Sequence, residues 1–405
     1  MRLKDTGMTH EEFTATVEKY MMNLAPRFDL IADTAKGMSV FDENGDEYLD
    51  FYGGIAVSSA GNCNPKVVDA ICMQALELIH GSNYPYTVPQ GMLAKLICET
   101  LSYEKIWFQN SGAEANEAMI KLARKYGTDH YGENRYKIVT ALNSFHGRTM
   151  ATLTATGQPG TGIQNGFGPL VPGFSYAEFN NLESFKDACD EDTIAIMLEP
   201  VQGEGGVFPA TEEFMKGIRE LCDEKKMLLL FDEVQTGWGR LGSTMGYERF
   251  GVKPDIVSMA KAMGGGMPIG AICTSEEIAK SFIGAHGSTY AGNPICAAAS
   301  YAQIKEILDY HLPQNALAKG KYFMKKATEL PHVKEVRGLG LLMGIELEPE
   351  VSAAEVKHEC MERKMLITAM GHNTLRLVPP LIVSEAECDH ALGILKDAIS
   401  AVAKD

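Results

Sequence analysis

Seven consecutive residues constrain this chain more than any others: Met227-Leu-Leu-Leu-Phe-Asp-Glu233, a nearly continuous apolar run that ends in two carboxylates. Successive side chains of a strand point to opposite faces, so a run without polar alternation needs apolar cover on both sides. That is the condition of a strand inside a parallel sheet with helices on each face. Lys105–Gln109, Tyr136–Thr140, Ile194–Glu199 and Ile256–Met259 read as further short strands. Between them lie helical periodicities over Met92–Leu101, Ala115–Tyr126 and Glu212–Glu224, with apolar residues three to four apart. The alternation predicts an α/β domain with a mostly parallel central sheet.

The two chain ends read differently. A helix is expected over Glu11–Met22, stopped by Asn23 and Pro26. Asn44-Gly45 then predicts a tight turn between Met38–Phe41 and Glu47–Phe51, and a helix follows over Lys66–Ile79. Tyr290–Lys326 is mostly helical. Strands are expected at Val333–Arg337, Leu341–Glu346 and Leu375–Leu377, with helices over Ala353–Arg363 and Glu385–Val402. This predicts a smaller α+β domain completed by the N-terminal hairpin. The expected division is 1–60 as the segment joining the small domain, 61–300 as the large domain and 301–405 as the small domain.

Charge narrows the function classes. Lys plus Arg total 37 against 53 for Asp plus Glu, a formal net charge of -16, and no basic cluster offsets it, which argues against nucleic-acid binding. No apolar stretch reaches the roughly 18 residues of a membrane span, and the polar start, Met1-Arg2-Leu3-Lys4-Asp5, predicts no signal peptide. The nine cysteines are odd in number and lack CxxC spacing, which predicts a reducing, cytoplasmic setting with no disulfide framework and no metal-thiolate site.

Parallel sheets bind ligands beyond the carboxyl ends of their strands, and four such places carry polar residues. Ser111, Gly112 and Ala113 open a predicted helix, where free backbone N–H groups suit an anion and equally an ordinary cap. Phe145, His146 and Arg148 share one loop, offering a planar surface beside a cation, while a core Phe and a solvated Arg would explain the residues separately. Asp232 ends the most apolar strand and needs a partner, either a cationic ligand or a structural ion pair. Lys261 follows the strand Ile256–Met259 and precedes the triplet Gly264-Gly265-Gly266. A buried lysine there is a nucleophile, and a snorkelling lysine is the plainer alternative. Gly237-Trp-Gly239-Arg-Leu-Gly242 has the GxGxxG form but opens no apolar-periodic helix, so a dinucleotide site is rejected.

Taken together, Asp232-Glu-Val-Gln235, Lys261 standing 29 positions after Asp232, and the glycine triplet resemble the core signature of the class III aminotransferases. These are fold-type I enzymes that use pyridoxal 5'-phosphate. The resemblance runs from Tyr48-Leu-Asp-Phe51 to Leu375-Arg376-Leu-Val-Pro-Pro380. It implies that Lys261 holds the cofactor covalently and moves the substrate proton, while Asp232 pairs with the ring nitrogen. It further implies that Gln235 bonds the ring hydroxyl, Phe145 stacks on the ring, and Ser111, Gly112 and Ala113 bind the phosphate. The loop Gly287–Pro294 resembles one that crosses a dimer interface, where Thr289, beside Ser288, completes the partner's phosphate site in a homodimer.

The resemblance also assigns substrate roles. Arg148 looks like the residue that binds a carboxylate at the far end of an ω-amino acid, and Arg376 like the receptor for the α-carboxylate of glutamate or 2-oxoglutarate. Glu204 matches a carboxylate that pairs with Arg376 when a distal amine is processed and swings away for glutamate. Gly371-His-Asn-Thr-Leu-Arg376 and Pro379-Pro380-Leu381 are most similar to N2-acetylornithine 5-aminotransferases. 4-Aminobutyrate, succinylornithine and diamines remain as alternative donors, and aminomutase or decarboxylase chemistry as the alternative class. Gly61-Asn62-Cys63-Asn64-Pro65 and Ala291-Gly292 depart from the usual family pattern.

Overall fold

The computed structural model describes residues 1–24 and 27–403. Its centre is a seven-stranded sheet in the spatial order Lys105–Gln109, Gly270–Thr274, Ile256–Met259, Leu228–Asp232, Thr193–Leu198, Lys137–Ala141, Phe174–Ala177. All strands run parallel except Gly270–Thr274, which is antiparallel to both neighbours.

The apolar run behaves as its composition requires. Leu228 and Leu230 pack to one side with Ala115, Ala118, Met119 and Leu122 of the helix Gly112–Tyr131. Leu229 and Phe231 pack to the other, with Phe214, Met215 and Ile218 of the helix Glu212–Lys225. Each such side chain contributes about 1.5–3 kcal/mol when fully removed from water. Two strands of this seven-stranded sheet were not anticipated. Gly270–Thr274 opens on glycine directly after a glycine-rich turn and reads as loop, and Phe174–Ala177 is a four-residue edge strand.

The N-terminal helix is His10–Tyr20, capped by Thr9 and Glu12; Pro26, expected to help end it, lies outside the described residues. The predicted hairpin is a meander of Ala32–Lys36, Ser39–Asp42 and Glu47–Asp50. Its turn is built by Asp42, whose Oδ1 accepts from the N–H groups of Asn44 and Asp46 at 2.9 Å each. Strand Glu47–Asp50 then pairs in parallel with Met365–Leu366, so residues from both chain ends share one sheet. A second antiparallel sheet orders Val333–Leu339, Leu342–Leu347, Thr374–Leu377 and Thr368–Met370.

The glycine run 237–242 is turn, with positive φ of 96° at Gly239 and 89° at Gly242, and no dinucleotide-type helix follows it. It delivers Arg240 into the interior instead. Arg240 Nη1 donates to the carbonyls of Leu341 at 3.0 Å and Pro379 at 2.6 Å, and Nη2 donates to Ser59 Oγ at 3.4 Å. One buried guanidinium thus ties the central, C-terminal and N-terminal stretches together. All nine cysteines are free, six of them buried. No helix among the described residues is long and apolar enough to cross a membrane.

Candidate active site

The carboxyl ends of the parallel strands open on one cavity of about 510 Å³. The strand Lys105–Gln109 leads to Asn110 and to Ser111, Gly112 and Ala113. Lys137–Ala141 leads to Phe145, His146 and Arg148, and Thr193–Leu198 leads to Glu199. Leu228–Asp232 ends in Asp232 with Gln235 beyond it, and Ile256–Met259 leads to Lys261. The topology therefore brings together residues spread over 150 positions of sequence.

The helix Gly112–Tyr131 points its N-terminus into this cavity. Ser111 is the N-cap, accepting from the N–H of Glu114, so the N–H groups of Gly112 and Ala113 have no intrahelical acceptor and face outward. Close approach explains two glycines here. A Cβ on Gly112 would lie 2.6 Å from Val234, and one on Gly147, at φ 137°, would lie 2.8 Å from the Ala113 side chain.

Asp232 is buried and held from three directions. Its Oδ2 accepts from Asn116 Nδ2 at 2.6 Å and lies 2.9 Å from His146 Nδ1, while Oδ1 accepts from the N–H of Val234 at 3.0 Å. His146 Nε2 is buried with no hydrogen-bond partner among the described residues. Lys261 has a left-handed backbone, φ 44°, which costs a non-glycine residue about 1 kcal/mol or more and marks the position as a special one. Its Nζ has no ion-pair or hydrogen-bond partner among the described residues. Loss of water around Lys261 depresses its pKa, against the pull of Glu204 and with the repulsion of Arg376. A lysine so placed is more readily neutral and hence nucleophilic.

Beyond Lys261, Arg376 and Glu204 form an ion pair, Arg376 Nη1 to Glu204 Oε1. Arg376 lies on the strand Thr374–Leu377 of the second antiparallel sheet, and Glu204 in the turn between Val201–Gln202 and Phe208–Pro209. Burial pushes the Glu204 carboxyl up, but the Arg376 guanidinium and Lys261 outweigh this and hold it below its ordinary value. Gln235 lines the cavity with its amide turned to this pair: Nε2 donates to Glu204 Oε1 at 3.3 Å and Oε1 accepts from Arg376 Nη1 at 3.5 Å. Arg148 stands exposed at the mouth, its guanidinium 5.4 Å from the Phe145 ring centroid.

Ser288 and Thr289 are not part of this cavity within one chain. Asn110 Nδ2 donates to Ser288 Oγ at 3.1 Å, and Thr289 is exposed beside it. Reading the sequence missed Glu199, Asn116, Thr236 and Val57 as site residues. Glu199 accepts the Phe145 N–H at 3.0 Å, and burial, reinforced by Asp232, raises its pKa well above the ordinary carboxyl value. The signal was present: like Asp232, Glu199 is a carboxylate just past an unbroken apolar strand.

Residues 20–399 match the family described as Aminotransferase class-III. The chain belongs to the class III aminotransferases. This class III aminotransferase is 47% identical over 389 residues to an acetylornithine aminotransferase of Caldanaerobacter subterraneus subsp. tengcongensis, spanning 95% of this chain and 98% of that one. It is 44% identical over 402 residues to an acetylornithine aminotransferase of Methanocaldococcus jannaschii, spanning 98% of this chain and 100% of the relative. Its fold superposes on an ornithine aminotransferase from Toxoplasma gondii ME49 with a TM-score of 0.94 and 29% identity, covering 99% of this chain and 98% of the other.

It is accordingly a pyridoxal-phosphate-dependent enzyme of fold-type I architecture. The chain's own residues fit that cofactor. An anion cradle at a helix N-terminus, an unpartnered lysine amine and a buried carboxylate converge on one cavity large enough for a small aromatic phosphate.

Proposed function

We propose that this aminotransferase moves the distal amino group of N2-acetylornithine to 2-oxoglutarate, giving N-acetylglutamate 5-semialdehyde and glutamate in two half-reactions. The observation that carries this reading is the Arg376–Glu204 pair next to Lys261. A distal amine brings no carboxylate near Lys261, so Arg376 must keep its charge satisfied by Glu204. Glutamate brings its own α-carboxylate, which replaces Glu204 on the guanidinium. An arginine buried without either partner would be destabilised by several kcal/mol, which is the physical reason for a movable carboxylate. The acetylornithine aminotransferases at 47% and 44% identity support the same donor.

Pyridoxal phosphate, when bound, supplies a cationic ring that accepts the negative charge left when a substrate carbon loses its proton. In this reading the Gly112 and Ala113 N–H groups and Ser111 hold the phosphate, Phe145 covers the ring face and Asp232 meets the ring nitrogen. Lys261 Nζ, depressed in basicity and held close, takes the proton from one carbon and returns it to another. Arg148 at the mouth receives the donor's far carboxylate. It would serve 4-aminobutyrate too, which is the reason to compare donors directly.

Purified holoenzyme offered N2-acetylornithine, 4-aminobutyrate, ornithine, succinylornithine and putrescine against 2-oxoglutarate is expected to show its highest kcat/KM with acetylornithine. A kcat/KM for 4-aminobutyrate about 100-fold above it, about 2.7 kcal/mol in transition-state binding, would contradict the assignment.

We also propose a two-copy assembly with shared sites. Met73, Leu76, Ile79, Tyr84, Tyr86 and Val88 are exposed apolar side chains within one short stretch. That stretch is tied to the Thr289 loop, since Asn83 Nδ2 donates to the Ser288 carbonyl at 2.9 Å and Asn293 Nδ2 to that of Ile79 at 2.8 Å. A patch of this kind continuous with an exposed loop residue assigned to a phosphate site calls for a second copy of the chain as its cover. Leu76→Glu combined with Val88→Glu is expected to turn the dimer into monomers by light scattering and to weaken cofactor retention. A wild-type chain that is monomeric at working concentration would contradict it.

A further inference from the structure

Asn116 has no part in the roles above, yet it stands where four pieces of the site meet. It lies one turn into the helix whose first residues form the anion cradle, and it is 1% exposed. Its Nδ2 donates to Asp232 Oδ2 at 2.6 Å and to the His146 carbonyl at 2.8 Å, the loop that carries Phe145. Its Oδ1 accepts from Ser258 Oγ at 2.6 Å, on the strand that leads to Lys261. Ser258 is itself fully buried.

Both amide hydrogens are therefore committed to acceptors and the carbonyl to a donor, which leaves one orientation of the amide and no competing partner. The consequence for Asp232 is directional. Asn116 and His146 both engage Oδ2, so the carboxylate cannot rotate, and Oδ1, otherwise bonded only to the Val234 N–H, is the oxygen left to face the cavity. The same amide pulls the His146 backbone toward Asp232 and so sets where the neighbouring Phe145 ring lies relative to that carboxylate.

We propose that Asn116 is a positioning residue, which through this single amide keeps Asp232, the Phe145 loop and the Lys261 strand in register, with Ser258 as its anchor. The inference rests on the reading that Asp232 meets the ring nitrogen of the cofactor. Two features separate it from a packing role. A packing residue would affect stability alike whatever stands at 232, whereas a residue acting through Asp232 loses its effect on the rate when that carboxylate is gone. A packing residue would also leave Ser258 without influence on cofactor affinity.

The ionisable groups near the amide are Asp232 and His146 in contact, with Glu199 and Lys261 around the same cavity. Each stays in place in the variants to be compared, Asp232→Asn excepted. Asn116→Leu keeps the branched shape and removes every hydrogen bond, and Ser258→Ala leaves the amide and removes its anchor. Both are compared with Asp232→Asn and with the Asn116→Leu/Asp232→Asn double variant, at one pH.

Two quantities are read: the dissociation constant of pyridoxal phosphate from the apoprotein, and the single-turnover rate with the amino donor. Asn116→Leu is expected to weaken cofactor binding about 10-fold and to slow the half-reaction by about 10- to 100-fold. Donor affinity should change less than about 3-fold, because the lost contacts are remote from the donor. Ser258→Ala is expected to move the same two quantities in the same direction by about 3-fold, which keeps the test open if the leucine variant folds poorly. On the Asp232→Asn background the rate loss from Asn116→Leu should shrink below about 3-fold.

If Asp232→Asn itself keeps wild-type affinity and rate, the assignment of Asp232 fails and this proposal with it. If Asp232→Asn is impaired but the Asn116 and Ser258 variants are neutral, or their rate losses multiply undiminished with it, the positioning role alone is overturned.

Discussion

Replacing Lys261 by alanine is expected to lower turnover by about 10⁴-fold or more while leaving the fold and the cavity in place. Three features of the lysine point to an effect of this size. It sits at a strand end in a left-handed backbone, φ 44°, that the surrounding turn holds in spite of its cost. Its amine has no hydrogen-bond or ion-pair partner among the described residues, and burial lowers its proton affinity. Among the described residues it is also the only lysine or histidine lining the cavity other than His146, whose Nδ1 is engaged with Asp232. On the proposed reading, losing Lys261 removes the base that shuttles the proton. Lys261→Arg should lose activity as severely, because a guanidinium keeps the charge but is neither nucleophile nor base at working pH. Turnover above a tenth of wild type in either variant would remove Lys261 from the chemistry. Thermal melting of the apoprotein checks that the loss is chemical.

The second large effect is expected from Asp232→Asn, with the half-reaction slowed about 100- to 1,000-fold while pyridoxal phosphate still binds. The geometry explains why an isosteric change should be so costly. Asn116 Nδ2 and His146 Nδ1 meet at Oδ2, so the carboxamide must turn its oxygen there. Its NH₂ group then takes the place of Oδ1, facing the cavity. On the proposed reading, a hydrogen-bond acceptor aimed at a protonated ring nitrogen becomes a donor, and the ring loses the anion that holds its proton. The phosphate cradle is untouched, so binding persists. Unchanged single-turnover rates in this variant would sink the assignment of Asp232.

Much of this arrangement was legible in the amino-acid sequence, and for one physical reason. A strand buried on both faces carries few polar residues and no unpaired charge until it leaves the sheet, so the charged side chains at its end stand at the ligand-binding edge. Asp232 and Lys261 were found in this way, and Ser111 and Phe145 from the turns that follow neighbouring strands. The same reasoning, applied consistently, would have found Glu199. Asn116 was out of reach, because its importance lies in contacts to residues 30, 116 and 142 positions away that no local pattern announces.

The fold was harder to read where the chain is least regular. Gly270–Thr274 starts with a glycine whose Cβ would lie 2.4 Å from the Ser111 carbonyl, so the residue that disguises the strand as loop is needed for its fit beside the cradle. Strand Ala32–Lys36 alternates exposed and half-buried side chains of low apolar content and gains its place from pairing with Ser39–Asp42. The GxGxxG run turned out to serve packing, carrying the buried Arg240 to carbonyls of the C-terminal region.

The most direct test of the central claim is an amine balance across a single turnover. Holoenzyme is mixed with ¹⁵N-labelled N2-acetylornithine, labelled at the distal nitrogen, and then with 2-oxoglutarate in a second step. The account predicts one equivalent of semialdehyde per site before 2-oxoglutarate is added, and one equivalent of ¹⁵N-glutamate afterwards, with no label in free ammonia. Label released as ammonia, or carbon dioxide evolved in place of glutamate formation, would contradict it.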